Sequence, residues 1–400
     1  MTQPHAPASA AKARQPRDPR LDFFRGLSLV MIYINHVPGT IFEHITSRNF
    51  GLSDAAEGFV FMSGCAVALA YGPRLAGGIS RGALRLAWMR AWTLYRVHIL
   101  TTLLAIVIVG AGVLWSGETE LLRPNSFYML WEDPLTVGVG LVTLGHQFGY
   151  INILPMYGAL MLAAPFLVRL GQRRPLGLLA LSVAIWVLSA LFRIDLPNYP
   201  LPGGWFFNPF SWQLLFSLGI LTGLALRDGR RFVPASRWLL ALTLFALLYA
   251  LVWVKHPPLM STMNQSLSWL YHQGASFLFV AFDKTYVSAP RLLHFLALAY
   301  ALSWPGLIRA LTASRLAAPV RLLGRYALWV FATGTVLSIA AQVIKALHPA
   351  GMVQDMVLIL GGLALQYAVA HWQSQRAKPR GSAPVAMPVL PEKPRLQTQR

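Results

Sequence analysis

Arg25 and His36 are ionisable side chains eleven residues apart in the first long apolar run of this chain. Eleven helical residues turn through about 1100°, three turns plus roughly 20°, so both side chains leave one face about 16 Å apart along the axis. Ionisable groups inside lipid are costly and point to function. A guanidinium can clamp a phosphate, and an imidazole can take a proton from a hydroxyl near neutral pH. Taken singly, Arg25 could be a snorkelling anchor and His36 a packing histidine. Other polar residues fall near the same end of their helices as His36: Glu57, Gln147, Tyr150, Asn152, Gln213, Arg291, His294 and Gln342. Together they could ring one polar cavity, with Glu57 beside His36 as a carboxylate–imidazole base pair. At the opposite end, Arg25, Arg90, Arg96, Arg321 and Arg325 crowd the helix ends. That cluster suits a phosphate-rich donor, or is ordinary positive charge facing the cytosol.

The elements that must position these groups are membrane helices. Of the 400 residues, 56% are hydrophobic and only 12% charged, well below the roughly 25% of a soluble domain. The net charge of +20 does not signal a nucleic-acid partner, because the basic residues sit in short clusters between apolar runs. About twenty residues are needed to cross the hydrocarbon. Ten segments qualify: 21–39, 55–72, 86–115, 149–168, 176–192, 210–226, 238–254, 292–311, 326–346 and 352–372. The stretch 261–282 is interrupted by Asn264, Gln265, His272 and Gln273 and reads as an outer excursion or re-entrant piece. Of the 34 lysines and arginines, 25 fall on one side of this arrangement and seven on the other, alternating loop by loop. The positive-inside rule then places both termini in the cytoplasm. The expectation is an all-α, multi-pass bundle of about ten helices in the inner (cytoplasmic) membrane, spanning 21–372. Basic, Pro-rich tails at 1–20 and 373–400 are expected to be disordered. Cys65 alone forms no internal disulfide, and no cysteine or histidine cluster has metal spacing.

The run Leu21-Asp22-Phe23-Phe24-Arg25-Gly26-Leu27 followed by His36 resembles the opening of the membrane-bound acyltransferase superfamily. Three longer motifs are similar to the OpgC family in particular: Asp54-Ala55-Ala56-Glu57-Gly58-Phe59-Val60-Phe61-Met62-Ser63-Gly64, the stretch 144–157, and 208–216. The blocks 291–300 and 323–338 resemble it as well. The resemblance covers about residues 20–371. It implies transfer of an acyl group, succinyl in the family's namesake, from a cytosolic CoA thioester to a hydroxyl of a periplasmic glucan. The partners implied are membrane lipid, an acyl-CoA co-substrate and a glycan acceptor, with no permanently bound cofactor. In that scheme His36 is the base or an acyl relay, and Glu57 orients it. Arg25, Arg96 and Arg325 hold the donor. Gln147, Asn152 and Gln213 grip sugar hydroxyls, Trp205 and Trp212 stack on sugar rings, and Arg291, with His294 near it, meets the acyl carboxylate.

Two other function classes share the multi-span architecture. A glycan transporter or flippase would carry midplane polar groups too, but the sequence shows no inverted repeat and no matched pair of interrupted helices. A non-catalytic accessory subunit of glucan synthesis would not depend on His36.

Overall fold

The protein is described by a computed structural model covering residues 18–304, 306–348 and 351–377. Ten helices match the ten apolar segments. They are α1 (Pro19–Asn35), α2 (Ala55–Leu75), α3 (Arg81–Ser116), α4 (Ile153–Arg173), α5 (Pro175–Phe192), α6 (Pro209–Arg227), α7 (Arg237–Lys255), α8 (Ala289–Leu302), α9 (Ala327–Leu347) and α10 (Met352–Arg376). Eight are long and apolar enough to cross a membrane. The other two are shorter, α1 with 17 residues and α8 with 14. Among the described residues there is no strand, only one isolated bridge between Pro197 and Gly204.

Two expectations change. The eighth segment is not one helix: α8 ends at Leu302, Gly306 takes a left-handed φ of 102°, and a second helix runs Leu307–Ala313. The helical region also extends past both expected tail boundaries, to include Pro19, Arg20 and the residues up to Arg376. The rest of the expected tails, 1–17 and 378–400, lies outside the described residues. The excursion at 261–282 is a separate 16-residue helix, Pro257–His272, with no buried residue, and a short turn at Phe277–Val280.

Burial ranks the helices. The apolar windows of α2 and α6 are 67% and 72% buried, against 11% for α7 and 22% for α10. α2 and α6 therefore form the centre, and α7 and α10 turn most of their apolar surface outward, as lipid-facing helices do. Lipid provides no hydrophobic drive between helices, so close backbone packing must supply the attraction. Small residues make that contact. A methyl group on Gly64 would strike the Phe216 carbonyl, and one on Gly219 would strike the Phe61 carbonyl. The same device seats α1: Gly26 lies on the Val320 carbonyl and Gly324 on that of Asp22.

Adding an isopropyl group at the central crossing, Gly219→Val, should force α2 and α6 apart. Overpacking of this kind costs about 1–3 kcal/mol or more. The expected result is a lower Tm of the detergent-solubilised protein. Gly361→Ala, where added carbon meets open space, should leave Tm unchanged. Equal Tm for the two variants would contradict the central role of this crossing.

Candidate active site

α1 stops at Asn35, and His36 caps it, its N–H bonding to the Ile32 and Tyr33 carbonyls at 3.0 and 3.1 Å. The imidazole is half-buried against the Tyr150 ring, centroids 4.4 Å apart. Gln342 of α9 donates to the His36 carbonyl at 2.7 Å, and Asn125 donates to the Gln342 side-chain oxygen at 3.0 Å. Asn125 in turn packs on Gly149, where any side chain would collide with it. One residue earlier, Asn35 accepts from the Thr46 hydroxyl at 2.7 Å. Four separate segments thus fix the end of α1 that carries the imidazole.

The adjoining carboxylates belong to the start of α2. Asp54 and Glu57 form a capping box: Asp54 accepts from the Ala56 N–H at 2.8 Å, and Glu57 Oε2 accepts from the Asp54 N–H at 3.0 Å. Such boxes satisfy the free N–H groups of a first turn. Arg291 of α8 donates to Glu57 Oε1 through Nε at 2.8 Å and through Nη2, and also reaches Asp54 at 3.2 Å. Lys284 binds the same Asp54 oxygen at 2.6 Å. Burial pushes Asp54 upward, yet Lys284 and Arg291 outweigh it and hold the carboxyl below the usual carboxylate range. Two acidic and two basic side chains thus meet in one network, buried at Glu57 and partly exposed at Asp54, Lys284 and Arg291.

This arrangement corrects the expected base pair. Glu57 is fully buried, and each of its oxygens is taken, one by Arg291 and one by the Asp54 N–H, with no bond to His36 among the described residues. Asp54, Lys284 and Arg48 are the charges within electrostatic range of the His36 ring. Arg291 is likewise engaged by protein carboxylates rather than left open for an acyl carboxylate. His294 is held by the Ser53 hydroxyl, Nδ1 to Oγ 2.7 Å, and packs on Gly51.

Deeper in the bundle lies a cavity of about 200 Å³ lined by Arg25, Arg90, Ser63, Tyr71, Tyr157 and a wall that includes Phe331. Arg25 Nη2 donates to the Met62 carbonyl at 2.7 Å, which aims its guanidinium across α2. The segment Tyr150–Tyr157 joins the two ends: Tyr150 covers His36, while Leu154 and Tyr157 line the cavity. Only the four steps from Ile153 to Tyr157 are helical, about 6 Å of that span.

The structure brings Arg25, Arg90, His36, Tyr150 and Gln342 to this axis and leaves others off it. Arg96 is exposed on α3 over the Trp92 ring, and Arg325 is exposed beside Tyr326. Trp212 is fully buried, donating to the Lys284 carbonyl at 3.0 Å, so it offers no face to a sugar. Trp205 is buried too. Gln213 ties α6 to α5 through the Ser182 carbonyl at 2.7 Å. Gln147 folds back on the Leu144 carbonyl at 3.0 Å, its amide oxygen buried without a partner among the described residues. Asn152 caps α4 by position but makes no side-chain cap bond. Sequence reasoning missed Asp54, Lys284, Asn125, Tyr71 and Tyr157. The spacing Asp54-x-x-Glu57 was the one available signal, since it is a capping box written in sequence.

No curated protein and no solved structure matches this chain. The family model described as OpgC protein matches residues 17–378, all but the two ends. Both clusters and the cavity between α1, α2, α3, α4 and α9 lie inside that match, and this multi-pass membrane protein belongs to the OpgC family.

Proposed function

We propose that this chain is an integral membrane O-acyltransferase. It moves an acyl group, succinyl by family resemblance, from a cytosolic CoA thioester to a hydroxyl of a periplasmic glucan or other envelope glycan. The observation that supports this most is the division of one helix: Arg25 lines an arginine- and tyrosine-bearing cavity, and His36 ends the same helix in a separately built polar cluster. The 25-to-7 distribution of basic residues puts the Arg25 end toward the cytosol and the His36 end toward the periplasm. Both termini then lie inside, in the inner membrane.

The chemistry follows from the groups present. A sugar hydroxyl is a poor nucleophile until a base takes its proton. His36 takes that proton as the oxygen attacks the thioester carbonyl. The new C–O bond forms, the C–S bond breaks, and the thiolate leaves with the proton returned from the imidazolium. Tyr150 and the Gln342–Asn125 chain hold the ring's segment still. Of the nearby charges, Asp54 favours the imidazolium, while Lys284, with which it is paired, opposes it more strongly. Arg25 and Arg90 hold the donor's phosphates, which suits guanidinium chemistry. Glu57 and Arg291 act as scaffold for Asp54.

His36→Ala should lower acyl transfer by roughly 10²–10⁴-fold, the usual range for a lost acid–base group, in protein that still inserts. Purified protein in liposomes with labelled thioester and glycan makes the measurement; undiminished transfer removes His36 from the mechanism. Movement of unmodified glycan without transfer would instead favour a transporter. Arg25→Ala should raise KM for the thioester and leave KM for glycan near its original value. An unchanged donor affinity in direct binding would end the phosphate role. Arg291→Ala should destabilise the protein by about 3–5 kcal/mol, because it strands a buried carboxylate. A stable variant with altered preference between succinyl and acetyl donors would return Arg291 to acyl recognition.

A further inference from the structure

Three buried polar side chains on α3 and α9 take no part in the scheme above. His98 of α3 is buried, and neither ring nitrogen has a hydrogen-bond partner among the described residues. The Ile151 backbone lies beside the ring without a formed hydrogen bond. The hydroxyls of Thr102 on α3 and Thr335 on α9 are buried and equally unpartnered. Native proteins pair nearly all such groups, and each exception needs a reason.

Their placement supplies one. α3 and α9 pack against each other, with Gly112 of α3 on Val343 of α9. Thr335 stands four residues beyond Phe331, which lines the cavity, and seven before Gln342, which holds the His36 carbonyl. Those steps turn through about 400° and 700°, so all three share one face of α9. His98 stands eight residues beyond Arg90, another cavity residue, or about 12 Å along α3. Ile151 follows Tyr150, which covers the His36 ring. By depth, the orphaned groups therefore fall between the arginine cavity and the imidazole.

We infer that this seam between α3 and α9, with His98, Thr102 and Thr335, is the binding site for the amide-bearing arm of the thioester donor. The inference rests on the acyl-transfer reading. The arm of a CoA thioester runs about thirteen bonds from sulfur to the nearest phosphorus. An extended chain covers roughly 3.5 Å per three bonds, which gives about 15 Å. Arg25 and His36 are about 16 Å apart along α1. With the phosphates at Arg25 and Arg90 and the sulfur at His36, the pair of amides in the arm falls at the orphaned groups. Imidazole and hydroxyl each donate and accept, so they match an amide N–H and C=O together. A hydrocarbon chain would leave them unsatisfied.

The test compares donors on the full-length protein in lipid nanodiscs. One is the CoA thioester, and the other is an aryl ester of the same acyl group with no amide. His98→Leu and Thr335→Val should each raise KM for the CoA thioester about tenfold, the size of one lost hydrogen bond, with kcat within about twofold. The preference for the CoA thioester over the aryl ester, as a ratio of kcat/KM, should fall by the same factor. His98→Gln, which keeps a donor and an acceptor, should recover most of it. An equal fall with both donors would show a packing role and overturn the inference. An unchanged KM would mean that water alone satisfies these groups, and would overturn it too. Wild-type protein that transfers from no thioester overturns the acyl-transfer reading itself, a result seen before any variant is made.

Discussion

A membrane interior does not tolerate a lone charge, and the site is built around that constraint. Glu57 could not sit buried, nor Asp54 half-buried, at the start of α2 unless cations met them, because removing a charge from water costs several kcal/mol even after relaxation. Lys284 and Arg291 meet them, at 2.6 Å and 2.8 Å for the leading contacts. The four charges cancel as a set, while their geometry leaves Asp54 shared between both cations and Glu57 closed off. That division makes Asp54, and not Glu57, the carboxylate whose field reaches the His36 ring. The network also joins α2 to α8 and to the segment before it, so the outer end of the bundle is held by electrostatics, where the middle is held by glycine-mediated contact.

In the proposed scheme the same helix serves two aqueous sides. α1 is only 17 residues long and is gripped at one end by the Gly26–Gly324 approach and at the other by Gln342 and Tyr150. A short helix with a cation near one end and an imidazole at the other fixes the distance between the groups proposed to serve donor and acceptor. Preorganised geometry of this kind lowers a reaction barrier because the reactants no longer pay orientation entropy at the transition state. A flexible or longer helix would leave that distance variable.

The fold was legible in the sequence because apolar length and basic clusters are one-dimensional signals. Ten apolar segments were expected and each found a helix, but 292–311 broke at Gly306, where a turn interrupted a run that hydropathy alone reads as continuous. The site was legible in part. Arg25 and His36 share a helix, so their spacing carried the geometry. Glu57 misled, because proximity in sequence to the outer end says nothing about which cation claims its oxygens. Trp212 and Gln213 misled for a related reason: they follow the apparent mouth of α6, yet α6 is the most buried span, and polar atoms there must bond to neighbouring helices. Arg96 and Arg325 sit at the right depth but on outward faces, and depth is easier to read from sequence than azimuth.

The segment between the helix Pro134–Val142 and α4 shows where the chain departs from regular structure, and why. Leu144 and Tyr150 both adopt positive φ, near 64° and 65°, a conformation that costs a non-glycine residue about a kcal/mol or more. Irregular backbone within a membrane protein persists only where the protein itself satisfies its polar groups. Here His146 N–H bonds to the Gly140 carbonyl, Ile151 N–H to that of Phe148, and Gln147 caps the Leu144 carbonyl. A straight extension of α4 would need none of this. It would also aim residue 150 along the helix, away from α1. The unwound turn lets the Tyr150 ring lie on His36 while Leu154 and Tyr157, a few residues later, wall the arginine cavity. The local strain and the reach of that segment are one feature: like α9, which carries both Phe331 and Gln342, it touches both ends of the proposed reaction path, and its irregularity is what allows it to do so.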